Sequence, residues 1–130
     1  MKKTFIRPLI TLVIVSAILA AIGVGYTQMS ISQAQTRAEE FCKTIQAGKT
    51  VDEVMQQVGV SSFDNLIFTN SAGEVVNAAN RGTFSPSKSA GFTTGKMEVR
   101  FQSKTSAFTD CVVEVTELKV TSTQVRQYTP

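Results

Sequence analysis

Phe41-Cys42-Lys43-Thr44-Ile45-Gln46-Ala47-Gly48-Lys49-Thr50-Val51-Asp52-Glu53-Val54-Met55-Gln56-Gln57-Val58-Gly59 is the stretch that decides the fold. Before Gly48, Ile31, Ala34, Ala38, Phe41 and Ile45 recur at steps of three and four, the mark of one apolar stripe on a helix running over Ser30 to Ala47. Glu39 and Lys43, four apart, support its wet side, and Gly48 is the expected stop. Thr50 and Glu53 then form a capping box, which opens a second helix with Val51, Val54, Met55 and Val58 on its apolar face and Gly59 at its end. With Gly48 and Lys49 alone between them, the two helices are expected to make a tight hairpin. Gly48-Lys49-Thr50 also ends like a phosphate-binding loop, but Lys43 stands where that motif requires its first glycine, so the motif is rejected.

Downstream the period changes to two. Leu66-Ile67-Phe68, the turn Asn70-Ser71-Ala72-Gly73 and Glu74-Val75-Val76 read as a hairpin. Met97, Val99 and Phe101 alternate with Glu98, Arg100 and Gln102, and Cys111, Val113 and Val115 repeat the pattern. A last strand starts at Leu118 and Val120 and runs towards Val125, although Thr116-Glu117 is a poor turn before it. The expected fold is α+β: an N-terminal transmembrane helix, then a two-helix hairpin packed on a three- to four-stranded antiparallel sheet. Asn80 to Thr94, rich in Gly, Ser and Thr, reads as a long loop.

Upstream lies the uncharged run Leu9 to Tyr26, roughly 18 residues and ~27 Å as a helix, about the hydrocarbon thickness of a bilayer. Lys2, Lys3 and Arg7 precede it and the next charge is Arg37. That asymmetry predicts a cytoplasmic tail over 1–8, a transmembrane anchor over 9–26, a stalk over 27–36 and an exported domain over 37–130. The corresponding location is the bacterial inner membrane, single pass, with the C-terminal domain in the periplasm. The alternative is a cleaved signal segment and a secreted domain; its cleavage candidates, Ala21-x-Gly23 and Gly23-x-Gly25, are imperfect. Ala17, Ala21 and Gly25 form a small-residue row through which two such helices could weakly associate.

Charge and composition remove several function classes. The formal net charge is +3, but the three cations before the apolar run account for all of it. The rest of the chain is formally neutral, which leaves no basic footprint for nucleic acid. There is no histidine, hence neither the commonest general base nor the commonest metal ligand. Cys42 and Cys111 are too few for zinc and are expected to form a disulfide in an oxidising compartment, or to be buried thiols in the cytosol. Asp110 beside Cys111 would disfavour a thiolate rather than activate one. Glu98 and Glu114 could share a sheet face as a carboxylate pair, although outward charges on such a sheet are ordinarily just solvated. Phe84 and Phe92, in the polar loop, are candidate partner contacts; the alternative is a minor core under the loop. No cofactor motif is present.

Gly48, Thr50 and Val54, in the turn between two short helices that precede antiparallel strands, match the "G-x-T/S-x-x-x-V" turn of the BamE/SmpA-like small envelope proteins. The chain resembles that family from Arg37 to about Val125. It departs from it in lacking a lipid-attachment cysteine and in having Val60, not proline, after Gly59. The resemblance implies a scaffold or interaction role and carries over no binding residues. The expected function is a non-enzymatic, membrane-tethered envelope protein-interaction module whose partner is another envelope protein. The alternative is an inhibitor or immunity-type protein that neutralises an exported toxin or enzyme.

Overall fold

The structure is a computed structural model describing the backbone of residues 2–89 and 91–129, with the side chains of residues 2–12, 23, 24, 27, 88 and 89 outside the description. Two helices, α1 (Lys2–Thr44) and α2 (Val51–Val60), lie on one face of a five-stranded antiparallel sheet. Its strands are β1 (Asn65–Asn70), β2 (Val75–Asn80), β3 (Gly95–Gln102), β4 (Phe108–Thr116) and β5 (Lys119–Tyr128), in the order β2-β1-β3-β4-β5. A short 3-10 turn, Pro86–Ser89, lies in the loop between β2 and β3.

α1 is one unbroken helix, 43 residues and roughly 64 Å long. The stretches read as anchor, stalk and first helix thus run on as one helix, and the expected transmembrane helix is corrected. Among the described residues no helix is long and apolar enough to cross a membrane. Leu9 to Leu12, Gly23 and Val24, which belong to the predicted span, have side chains outside the described residues. Within the stretch read as a stalk, Ser30 and Ala34 are buried against the domain. Ser30 Oγ accepts a 2.7 Å hydrogen bond from the backbone N–H of Lys104, in the β3–β4 loop, and the Lys104 ammonium sits 5.4 Å from the Tyr26 ring centroid. The helix therefore leaves the domain at Tyr26–Ser30.

From there Ala34, Ala38, Phe41, Cys42 and Ile45 face the core, and the two alanines let the helix come close to the sheet. α2 is as the sequence reads: Thr50 caps it by accepting from Glu53 N–H at 3.3 Å, and Val51, Val54, Met55 and Val58 are buried. Gly59 lies inside its last turn rather than ending it, and Ser61 is the C-cap. The link between the helices is longer than expected, residues 45–50. It pairs with the start of β5 through Gly48 N–H to Val120 O and Val120 N–H to Lys49 O, both 2.8 Å.

The sheet has five strands, which corrects the expected three or four. The two edge strands carry the weakest alternation, since an edge exposes side chains on both faces: β2 is buried only at Ala79, and β5 only at Val120. The β4–β5 turn places Glu117 and Leu118 at φ 49° and 66°, a left-handed conformation unusual for both residue types. Leu118 N–H donates to Thr93 O at 2.8 Å, Glu117 N–H to Thr94 Oγ1 at 3.2 Å, and Leu118 O accepts from Val51 N–H at 2.9 Å. Those bonds offset a backbone cost of about 1–3 kcal/mol per residue.

Candidate functional site

Cys42 of α1 and Cys111 of β4 form a disulfide, with Cα atoms 5.6 Å apart and a sequence separation of 69. Both are buried, so the bond is a fastening between helix and sheet. Asp110, next to Cys111, points to the opposite face of β4. There it is fully buried and held by Arg100 from β3 at 3.0 and 3.1 Å. The Arg100 guanidinium lies 3.8 Å over the Phe108 ring, and Phe108 stacks on Tyr128 at 4.7 Å. Donating to the Asp110 carboxylate raises the Arg100 pKa, against the opposing effect of burial. This cluster was not singled out from sequence; the only trace of it is that Arg100 and Asp110 each take an outward position in an alternating strand.

The two loop aromatics are not displayed. Phe92 is buried in the core, edge-on to Phe68 with ring centroids 5.1 Å apart. Phe84 packs edge-on to Phe63 at 5.2 Å, beside Gly59 of α2. As partner contacts they are therefore corrected: both rings hold the long loop down on the α2 end of the core. Glu98 and Glu114 do share the outer sheet face, but they form no carboxylate dyad. Glu114 stands opposite Lys96, 3.9 Å from its ammonium, and accepts from Ser122 Oγ at 3.0 Å, whereas Glu98 stands opposite Val112. Ala17, Ala21 and Gly25 lie on the half of α1 that the domain leaves bare. Among the described residues no group of three His, Cys, Asp or Glu could hold a metal ion.

One concave feature draws several chemistries together. Between α1 and the C-terminal end of α2 opens a cleft of about 250 Å³, floored by Phe41 and Phe101, whose rings lie 5.8 Å apart. Arg37 forms one wall. Its guanidinium donates to Ser62 O at 3.3 Å and to Gln102 O at 2.8 Å, and sits 5.8 Å from the Phe101 centroid and 3.9 Å from the Asp64 carboxylate. Val60, 83 % exposed, stands at the rim with Gln57 and Glu40.

The cleft is at the small end of small-molecule pockets, with room for about one large apolar side chain. Two of its hydroxyls are turned inward: Ser61 Oγ donates to Val58 O at 2.8 Å and Thr44 Oγ1 to Phe41 O at 2.6 Å. Neither has a base beside it that would make it a nucleophile. What the arrangement can do is seat an apolar group on two rings while a fixed guanidinium and an exposed carboxylate read its polar surroundings. No family model, curated protein or solved structure matches the chain.

Proposed function

We propose that this chain is a non-catalytic protein-interaction module of an oxidising, extracytosolic compartment, binding another protein of the cell envelope. The observation that supports it is the cleft over Phe41 and Phe101 with Val60 exposed at its rim. An apolar residue standing clear of the surface beside an aromatic floor is how an interface presents an anchor point. The disulfide favours the compartment, because such bonds persist where thiols are not kept reduced. The resemblance of Gly48, Thr50 and Val54 to the BamE/SmpA-like turn points to the same kind of role. The module is proposed without a membrane tether.

The test is capture of envelope proteins by the immobilised full chain and by its Val60→Asp variant. Val60 makes little contact with the rest of the chain, so the variant keeps its melting temperature within a few degrees. It loses capture roughly tenfold or more, the effect of removing about 1.4 kcal/mol at an anchor. Equal capture by a folded Val60→Asp chain ends the assignment to this cleft, and turnover of a small-molecule substrate by the purified chain ends the non-catalytic reading.

A further inference from the structure

The sheet has two edges, β2 and β5, and the chain treats them differently. On β2 two backbone donors are already taken by side chains: Asn77 Oδ1 accepts from Ala78 N–H at 2.9 Å, and Thr83 Oγ1 from Asn80 N–H at 3.0 Å. A bulge between Phe68 and Thr69 also breaks the β1–β2 register. Side-chain caps and bulges on a short strand blunt an edge against further pairing.

β5 is covered over its first two residues. There the link between the helices lies alongside it as a short antiparallel segment: Thr50 bridges Lys119, Gly48 N–H donates to Val120 O, and Val120 N–H to Lys49 O. Past the bulge at Glu114/Val115, Ser122 to Tyr128 pair one-to-one with Glu114 to Phe108. Among the described residues no backbone N–H of that run donates to anything beyond β4. The run holds no proline and one charge, Arg126, whose guanidinium is turned to Tyr128 Oη at 2.9 Å.

α1 makes this edge one side of a groove. Cys42 Sγ lies 3.9 Å from Gln124 O, which sets the helix beside β5. Arg37, Glu40 and Thr44 line the cleft towards α2, so the opposite flank of α1, which at about 100° per residue carries Gln35, Glu39 and Gln46, faces the β5 side. Glu39 accepts from Gln35 Nε2 at 3.1 Å and forms no ion pair among the described residues. Below it Val125, paired with Cys111 and so on the helix side of the sheet, is exposed.

From this we infer that β5 takes an extended segment of a partner protein as a sixth strand along Ser122–Tyr128, with an apolar residue beside Val125 and a basic one beneath Glu39. Residues 48–50 display the mode, because backbone of this chain already covers the start of the same edge. Main-chain hydrogen bonds supply the affinity, and the alternate side chains under α1 select the partner. A second copy of β5 fits less well. The register that uses the whole free run centres on Val125 and brings the two Arg126 side chains into diagonal contact, like charge against like. The surface is separate from the cleft and does not rest on it.

The probe is the capped, fluorescein-labelled heptapeptide Thr-Val-Thr-Lys-Thr-Val-Thr, titrated with the full chain and read by anisotropy and by amide hydrogen exchange. Binding slows exchange across Ser122–Tyr128 and leaves β2 unchanged. Glutamate in place of the peptide's lysine, N-methylation of one set of its alternate residues but not the other, and Val125→Lys in the chain each weaken binding roughly tenfold or more. Val60→Asp leaves it unchanged, so failure here and failure at the cleft are told apart. The exchange map needs no variant and decides the matter even where Val125→Lys lowers the melting temperature. A peptide that does not bind overturns the proposal, as do protection at β2 or the cleft in place of β5, equal binding of the glutamate peptide, or indifference to Val125→Lys in a folded chain. A wild-type chain that elutes alone as a dimer with its β5 amides protected gives the edge to a second copy, and overturns it too.

Discussion

The Asp110 carboxylate and the Arg100 guanidinium meet as a two-point pair at 3.0 and 3.1 Å on the sheet face away from the helices, with the aspartate wholly buried and the arginine largely so. A charged pair on the outer face of a sheet is ordinarily solvated and worth little. This one is roofed by Phe108 and Tyr128, so each member depends on the other.

Arg100→Met therefore leaves a buried carboxylate without its partner and is expected to destabilise the domain by about 3–5 kcal/mol. The double change Arg100→Met with Asp110→Leu should recover most of that loss. Urea denaturation of the single and double variants measures both. The sign of the pH effect follows from the Arg100 pKa being raised in the folded state: its contribution is complete below the ordinary guanidinium range and is lost only as pH rises beyond it. Arg100 should thus add no pH dependence to the urea midpoint between pH 5 and 9.

The Cys42–Cys111 bond closes a loop of 69 residues, which in the chain-entropy model stabilises the fold by about 4 kcal/mol. Against a total of about 5–15 kcal/mol for a domain, that is a large share. The Cys42→Ala, Cys111→Ala chain should show a urea midpoint lowered correspondingly, and dithiothreitol should lower the wild type but not the double variant.

Phe92 and Phe84 should separate by burial. Phe92→Ala opens a cavity beside Phe68 and is expected to cost about 3–5 kcal/mol, whereas Phe84→Ala, at the half-buried edge, should cost clearly less. Thermal melting of the two variants checks the order; equal small losses would mean that the loop does not pack as described.

Thr109, on the core face of β4, is fully buried and its hydroxyl has no hydrogen-bond partner among the described residues. Thr109→Val keeps the shape and removes the unpaired oxygen. It should raise stability by roughly 1 kcal/mol, read as a higher urea midpoint with unchanged slope.

The sequence by itself determined the local elements. The Thr50 cap and the Val51, Val54, Met55, Val58 stripe define α2 to within a residue at each end, because capping and a 3.6-residue period act within one turn of helix. Alternation at Met97, Val99 and Phe101 does the same for β3, since a half-buried strand writes its two faces into successive residues. The pairing of Cys42 with Cys111 was legible as well: each falls on the apolar face of its own element.

What tertiary structure alone decided involves residues far apart in the chain. Residues 27–36 are polar enough to read as a stalk, yet Ser30 is packed by Lys104, 74 residues later, and α1 runs through without a break. Phe92 looks like a displayed aromatic until Phe68 is placed beneath it, and Asp110 looks solvated until Arg100 and Phe108 close over it. The cleft exists only because Phe41 of α1, Val60 of α2 and Phe101 of β3 converge. A periodic pattern reports which side of an element is apolar; it holds no record of which distant residue arrives there, and that arrival separates a contact surface from a core.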